Sequence, residues 1–328
     1  MKENINNKLI PKNHTIFFDE AAHKYTDELG RKYTSVTTVI GFYTTEFKSE
    51  TIAKACERIG RNPNHRDYQK YKGKSAQQLL TEWKKTTDDA CEFGTKRHNF
   101  LEGCIKDANN YNRNKGGFIE GQICTIDDVI KNHNYGKVKL SLFEQTGLKQ
   151  KYPSIYAILE SLVKKGFNIY AEIGVYDPLY LVSGLIDICA INHKTYEFII
   201  VDWKTNKAPI KYECGYFRKH SNGTLNLEDW VSQDNYFRSP LNNIVDSIGN
   251  HYAMQLSTYG YLVSTFGYTF RGLVLCHIRP IEQPFIDREF WEESVEIYNI
   301  PYMEKDVRLM LDNHRNNNPL DGQGTLIF

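Results

Sequence analysis

The chain has 328 residues, 41% hydrophobic and 13% aromatic, which is enough to bury one large core or two smaller ones. Its 41 Lys and Arg residues nearly balance 40 Asp and Glu residues. A formal net charge of +1 neither requires nor excludes a nucleic-acid partner, because the clustering of charge on one face matters more than the total. Seven scattered cysteines without a C-x-x-C pair predict reduced thiols and argue against a disulfide framework or a zinc site.

Targeting and membrane signals are not evident. The opening residues, MKENINNKLIPKNH, lack both the apolar segment of a secretion signal and the Arg-rich amphipathic pattern of an import signal. Uninterrupted apolar runs stay well short of the ~20 residues that a membrane-spanning helix needs. We therefore expect a soluble cytoplasmic protein, in the host cytoplasm if the gene is viral, without a membrane partner.

The first part of the chain predicts a hairpin and then helices. Two β-rich runs within 15–40 flank DELG, where Gly30 permits the positive φ of a tight turn. A short helix is expected over 46–60 and a loop over 61–74. Ser75 can cap a long helix that follows. Its predicted apolar stripe consists of Ala76, Leu79, Leu80, Trp83, Ala90 and Leu101.

The middle of the chain predicts loops and then a β-meander. Residues 105–150 are rich in Asn, Gly and Lys, which favours loops and short helices over the surface. A helix fits 153–164. Three strand-like runs joined by short turns follow, which predicts antiparallel pairing. These runs cover 168–176, 180–191 and 196–203.

The last part predicts a polar excursion over 208–250, a helix over 251–264, a strand over 271–278 and a final helix over 290–312. This order predicts an α/β fold in which helices flank a mixed sheet. We expect one domain with an N-terminal hairpin and helical part (1–150), a catalytic core (151–312) and a flexible tail (313–328).

Two strands carry unexpected charges. Asp187 interrupts the apolar run YLVSGLIDICAI, and an unpaired buried carboxylate is costly, so a counter-charge or a metal is expected nearby. In IIVDWKTNK, side chains alternate between faces, so Asp202 and Lys204 share a face while Trp203 points the other way. Taken alone, Asp187 favours the simpler interpretation, a pair with a lysine such as Lys204 and no metal.

Two helices add further polar pairs. In CEFGTKRHNFLE, His98 and Glu102 lie four residues apart on one helical face, and Gly94 one turn earlier permits close backbone approach. In HYAMQLSTYGY, Gln255 and Tyr259 have the same spacing. Each pair alone is a weak signal.

In this order the motifs G-T-x-x-H-x-x-x-E, G-x-x-D, D-x-K and Q-x-x-x-Y resemble the PD-(D/E)XK nuclease superfamily, in particular its RecB-like branch. The segments YTSVTTVI and VDWKT, with a Trp on the helix before GTKRH, look like mitochondrial genome maintenance exonucleases and related phage nucleases. The resemblance covers about residues 15–280. It implies a restriction-endonuclease-like fold and a metal-dependent DNA exonuclease.

The resemblance also implies roles for individual residues. Mg²⁺ or Mn²⁺ would be held by Asp187, Asp202, His98 and the Trp203 carbonyl, while Lys204 orients or deprotonates the attacking water. Supporting or DNA-contacting roles fall to Gln255, Tyr259, Glu102, Thr95 and Lys207. Glu172, on the strand before Asp187, is interpreted as an exposed residue rather than a ligand.

Two segments could follow the DNA strand. RDYQKYKGK mixes Tyr68, Lys70 and Tyr71 with further cations, a composition that can hold phosphates and stack bases but also suits a solvated loop. The excursion at 208–250 is the other candidate. GKS at 73–75 does not complete a phosphate loop, so no ATP is expected. The single cysteine after the Q-x-x-x-Y helix, Cys276, predicts no iron–sulfur cluster.

The leading hypothesis is an exonuclease acting on single strands or DNA ends in viral or phage replication, recombination or repair. A structure-dependent endonuclease on the same fold is the alternative, since the core motifs do not encode end dependence. An inactive, nuclease-like DNA-binding subunit is a third reading, but the Asp and Lys positions whose loss would mark it are all filled.

The last six residues, QGTLIF, place Gln323, Leu326 and Phe328 at a spacing similar to that of peptides that dock onto sliding clamps. A disordered tether with two apolar anchors and an amide suits such docking. Alternatively, the same residues pack as an edge strand or cap the protein's own core.

Overall fold

The computed structural model describes residues 9–45, 47–109, 118–220, 222–283 and 291–317. The chain divides into two compact units. One, here called the main unit, comprises residues 1–44 and 99–328 and contains the large sheet. The other, the inserted unit, comprises residues 45–98 and is helical.

The inserted unit contains α2 (Ser49–Ile59), α3 (Tyr68–Tyr71) and the first part of α4 (Ala76–Ala108). Its small core is built on Ala53, Cys56 and Leu79. The α4 start is capped as predicted, because the Gln78 N–H donates to Ser75 Oγ at 3.2 Å.

Two predictions for this unit are wrong. The expected loop over 61–74 contains the short helix α3. The expected apolar stripe of α4 is interrupted at Ala90, which is exposed together with the rest of 84–92. A small, weakly apolar side chain such as alanine marks a helical face poorly, because it favours any helix position.

Within the part of the main unit that the structure describes, eight strands form one mixed sheet in the order β1-β2-β3-β5-β6-β9-β10, with β4 paired to β5. A separate two-stranded hairpin contains β7 and β8. The strands are β1 (Ile16–Asp19), β2 (Lys24–Asp27), β3 (Lys32–Ser35), β4 (Asn168–Asp177), β5 (Val182–Asn192), β6 (Glu197–Lys204), β7 (Gly215–Lys219), β8 (Leu225–Ser232), β9 (Thr269–Pro280) and β10 (Glu293–Asn299). The predicted mixed sheet and the antiparallel β4–β5–β6 meander are confirmed.

Helices flank this sheet and fill two apolar clusters. The helices of the main unit besides the end of α4 are α1 (Val36–Gly41), α5 (Ile126–Lys131), α6 (Leu140–Phe143), α7 (Leu148–Lys151), α8 (Pro153–Lys164), α9 (Ile248–Ser264) and α10 (Glu304–Asn317). Phe198 and Ile200 of β6 enter the cluster that α1, α9 and α10 share. Val201 and Trp203 enter the cluster beneath α8. The predicted alternation along β6 is therefore confirmed.

The sheet forks at β5. One edge of β5 pairs with β4 along almost its whole length, from Val182 to Ile191. The other edge is shared: β3 pairs in parallel with residues 182–183, and β6 pairs antiparallel with residues 188–192. Residues 184–187 span the interval between these two ladders. The G-x-x-D motif occupies this fork.

The last part of the chain differs from prediction in two places. Residues 293–299 form strand β10, antiparallel to β9, where a helix over 290–312 was expected. The 208–250 excursion contains the β7–β8 hairpin. Residues 313–317 of the predicted tail continue α10, and 318–328, with the predicted clamp-binding residues, lie outside the described residues. Among the helices described, none has the combination of length and apolarity that crossing a membrane requires.

Candidate active site

Two carboxylates meet where β5 and β6 separate. The last ladder pair on this side is Ile188 with Val201, and Asp187 and Asp202 are the next residues beyond it. The Trp203 N–H donates to Asp187 Oδ2 at 3.1 Å. Because the N–H and C=O of one strand residue point to the same side, the Trp203 carbonyl also faces the Asp187 side. The main chain and both acids thus converge at one point.

Lys204 joins this pair from the same strand face. Its Nζ lies 2.5 Å from Asp202 Oδ2, and both side chains are largely buried. Burial alone would lower the Lys204 pKa, but the negative charges of Asp202 and Asp187 outweigh it and raise that pKa. Lys204 is therefore a firmly protonated ammonium that compensates two acids.

One ammonium does not fully compensate both carboxylates. Burial, followed by the negative charge of Asp202, raises the pKa of Asp187 well above its ordinary value. Among the described residues, Asp202 Oδ2 has the Lys204 contact but no hydrogen bond of acceptable direction. Ionisation of both acids would therefore leave excess negative charge at this centre, which is the condition that a bound cation relieves.

Gly184 is required by the packing of Tyr259 at the fork. A Cβ added at Gly184 would lie 2.7 Å from Tyr259 Cε1, closer than real Cβ contacts allow. Gln255 Nε2 donates to the Tyr259 hydroxyl at 3.2 Å, which joins the predicted Q-x-x-x-Y pair. Burial raises the pKa of Tyr259, and the Asp202 charge adds to this. The structure thus brings the G-x-x-D, D-x-K and Q-x-x-x-Y motifs together.

A second group of residues supports Lys204 and was missed by the sequence reasoning. The Lys204 ammonium lies 5.3 Å from the centre of the Tyr252 ring. The Tyr252 hydroxyl donates to Asn206 Oδ1 at 3.0 Å, and the Asn206 carbonyl lies 2.8 Å from Nε2 of the fully buried His277. Burial lowers the pKa of His277, which keeps the ring neutral. Only the placement of Tyr252 one turn before Gln255 offered a signal in the sequence.

Glu172 lies closer to the site than predicted. It falls between the β4–β5 pairs Ala171–Ile188 and Ile173–Ile186, and hence opposite Asp187. Its backbone is left-handed, with φ +50°, and its charge contributes to the raised pKa of Asp187. The side chain is 43% exposed, in agreement with the predicted exposure.

Glu102 reaches this edge through a shared lysine. Lys106 forms ion pairs with Glu102, four residues earlier on α4, and with Glu172 at 3.4 Å. The Glu102 side chain is largely buried, with 14% exposed. Lys106 therefore connects Glu102 to the strand residue opposite Asp187.

The remaining predicted residues have local contacts and exposures that the structure describes. Lys207 forms an ion pair with Glu282 at 2.7 Å. Thr95 and His98 belong to the inserted unit, where Thr95 is exposed and His98 half-buried. In the same unit Lys70 lies 5.0 Å from the centre of the Tyr71 ring, and Lys72 lies 5.6 Å from that of Tyr68. These cation–ring contacts are compatible with a solvated segment and with a strand-binding one.

Another cluster of potential metal ligands lies near the N-terminus and is already neutralised. His14, Asp27 and Glu28 place one ligand atom each within 4.8 Å of one another. Arg31 Nε donates to Asp27 Oδ2 at 2.6 Å, and Arg31 Nη2 lies 2.9 Å from His14 Nε2. This arginine occupies the place that a cation would take.

Comparison of the chain with models of protein families, with curated proteins and with solved structures gives no match.

Proposed function

We propose that this protein is a metal-dependent DNA nuclease of the PD-(D/E)XK type, with a restriction-endonuclease-like core, and that it acts as an exonuclease on single strands or DNA ends. The observation that carries the proposal is the group of Asp187, Asp202 and Lys204 at the fork of the sheet. The buried Asp202 and the half-buried Asp187 share one ammonium there, with the carbonyl side of Trp203 turned toward them.

The donor atoms fit Mg²⁺ or Mn²⁺. Both ions prefer oxygen ligands, and the fork supplies carboxylates from Asp187 and Asp202 with the Trp203 carbonyl. The raised pKa of Asp187 supports the fit, since a cation would offset the burial and the Asp202 charge that disfavour the ionised carboxylate. Asp202 Oδ2 also supports it, because among the described residues it accepts no well-directed hydrogen bond. When bound, such an ion supplies an activated water and neutralises charge that grows on the phosphate. The roles of His98 and Thr95 rest on the sequence motif alone.

The residues around the acids have distinct tasks in this proposal. Lys204, held between Asp202 and the Tyr252 ring, orients the attacking water by donating a hydrogen bond to it. Gln255 and Tyr259 brace the fork through their mutual hydrogen bond. His277 and Asn206 fix the segment that follows Lys204, so that the ammonium keeps its direction.

The test uses end-labelled linear and circular single-stranded DNA of one sequence, incubated with Mg²⁺, Mn²⁺ or EDTA. We expect shortening of the linear strand with either metal, survival of the circle, and no reaction in EDTA. Asp202→Asn is the matched inactive control. Nicking of the circle would favour the endonuclease alternative, and equal cleavage of an RNA strand would remove the DNA assignment. Failure of every substrate with both metals would contradict the proposal as a whole.

A further inference from the structure

A small cavity opens beside the β7–β8 hairpin, beyond the end of strand β9. Its volume is about 190 Å³. The wall combines charged and apolar side chains, among them Lys207, Leu225, Leu227, Arg279, Ile281 and Glu282. Apart from Lys207, for which the family resemblance implies a supporting or DNA-contacting role, these residues have no role assigned at the Asp187–Asp202 centre.

The cavity lies one step along the sheet from that centre. Strands β6 and β9 are parallel, and Lys204 is in register with His277. Arg279 follows two residues later on β9, which corresponds to roughly 7 Å of strand. Lys207 leaves β6 in the same direction. One extended nucleotide spans such a distance, so a strand cleaved at the acids passes this cavity with its neighbouring phosphate.

The charges in the cavity favour an anion. Both oxygens of Glu282 are engaged, one by Lys207 Nζ at 2.7 Å and the other by the Leu225 N–H at 2.9 Å. Arg279 Nε is buried and has no hydrogen-bond acceptor among the residues that the structure describes. Glu296 Oε1 lies 3.8 Å from Arg279 Nε, and the other oxygen of Glu296 accepts from the Tyr298 hydroxyl.

A guanidinium donor without an acceptor in a partly buried place is costly, and a phosphate oxygen is the acceptor that arginine matches best. Of the residues that line the cavity, Lys207 and Arg279 are cations and Glu282 is a fully engaged carboxylate, whereas Glu296 lies outside the lining. Leu225, Leu227 and Ile281 add an apolar wall that suits the attached sugar.

We infer that this cavity binds the phosphate next to the cleaved bond, through Arg279 and Lys207, and so fixes the register of the strand in the active site. The inference rests on the proposed nuclease function and adds to it a specific contact outside the metal centre.

The test is a double-mutant cycle that combines a substitution at Arg279 with removal of the charge of one phosphate in the DNA strand. Single-stranded oligonucleotides carry one uncharged methylphosphonate linkage, moved one position at a time, and their binding in EDTA is measured by fluorescence anisotropy. Arg279→Gln should weaken binding of the unmodified strand roughly tenfold. When the methylphosphonate is placed next to the bond that is cleaved in Mg²⁺, Arg279→Gln and the wild-type protein should bind the strand equally well, because the phosphate charge that Arg279 contacts is already absent.

The matched control is Arg308→Gln, which removes the same charge from α10. Arg308 is paired with Glu304, and α10 follows the end of β10 that lies away from Pro280. Binding should be unchanged in this variant. If circular dichroism shows that Arg279→Gln unfolds the protein, Lys207→Gln takes its place in the same cycle.

Equal losses at every linkage would show general electrostatic attraction and overturn the inference, as would unchanged binding by Arg279→Gln. In either case cleavage by the wild-type protein would leave the nuclease proposal intact. A wild-type protein that neither binds nor cleaves the strands would overturn both.

Discussion

Two aspartates of the main unit, the buried Asp27 and the half-buried Asp187, differ in how completely their charge is compensated. Asp27 accepts from the Leu29 and Arg31 N–H groups, from Arg31 Nε and from the Tyr33 hydroxyl. Burial alone would raise the pKa of Asp27, but these hydrogen bonds and the Arg31 charge outweigh it and lower that pKa. Asp187 has a second acid beside it, and its pKa is raised.

The difference distinguishes a carboxylate that stabilises the fold from one that is kept available for a ligand. Asp27 forms an ion pair with Arg31, four residues later in the same hairpin. Asp187 and Asp202 share one lysine and lie where two ladders separate. Perturbed acids in such places are candidates for function, because a structure built for stability alone would compensate them.

The largest effect should be on cleavage. Asp202→Asn removes a metal ligand and should lower the cleavage rate at least about 1,000-fold, whereas Asp27→Asn should leave the rate per folded molecule unchanged. Single-turnover cleavage of an end-labelled strand in Mg²⁺ measures both. A comparable loss in the Asp27 variant would end the distinction between the two acids.

Thermal stability should respond in opposite directions to the same substitution at the two acids, falling for Asp27→Asn and rising for Asp187→Asn. Asp27→Asn breaks a buried, hydrogen-bonded ion pair and should cost about 2 kcal/mol. Asp187→Asn keeps an acceptor for the Trp203 N–H and removes the cost of burying an ionisable acid beside Asp202, so its Tm without metal should rise by roughly 2 °C or more. Differential scanning calorimetry in EDTA gives both values. A lowered Tm for the position 187 variant would contradict the unfavourable burial of Asp187 beside Asp202.

Packing at the fork can be tested through two glycines of the same sheet. Gly184→Ala forces the Tyr259 ring to move and should cost about 1–2 kcal/mol together with part of the activity. Gly272→Ala, on β9, meets no atom within 4 Å and is the control. Chemical denaturation measures the loss of stability, and the cleavage assay measures the loss of activity. Equal stabilities of the two variants would show that Tyr259 does not depend on Gly184.

The most gradual effect is the pH dependence of stability. The pKa of Asp187 rises from 3.8 to about 8 on folding, so the stability contributed by its protonated form is complete below about pH 4 and is lost as the pH rises through about 8. Asp27 has the opposite sign: its contribution is present above its ordinary pKa of 3.8 and disappears as the pH falls below that value.

In EDTA, the Tm of the wild-type protein should therefore fall relative to Asp187→Asn between pH 4 and 8. Mg²⁺ should reverse this decline, because it binds the ionised acid. Parallel Tm curves for the two proteins across this range would contradict the assigned shift.

Local patterns were sufficient for much of the central fold. Apolar runs and turns located the meander and the β9 strand, and the helix over 153–164 agrees with α8 residue for residue. Strand alternation alone placed Asp202 beside Lys204 and Trp203 on the other face. These features depend on neighbours in the sequence, so the sequence determines them directly.

Other features depend on distant partners. The segment ESVEIYN became β10 because β9 offers an edge along its whole length, although its charges also fit a helix. The fork of β5 joins residues 34–35, 182–192 and 197–201, a juxtaposition that no local pattern encodes. Likewise, Lys207 pairs with Glu282, which lies 75 residues later in the sequence. The motif order indicated which residues converge, but not the neighbours that hold them.

The left-handed backbone of Glu172 has a consequence for the evolution of the site. A residue with a Cβ adopts this conformation at a cost on the order of 1 kcal/mol, which glycine would avoid. Glu172→Gly would thus relax β4 while removing a negative charge opposite Asp187. A protein selected only for durability would gain from that exchange. Glu172 thus couples main-chain strain to negative charge at the fork, because the substitution that relieves the strain also removes the charge.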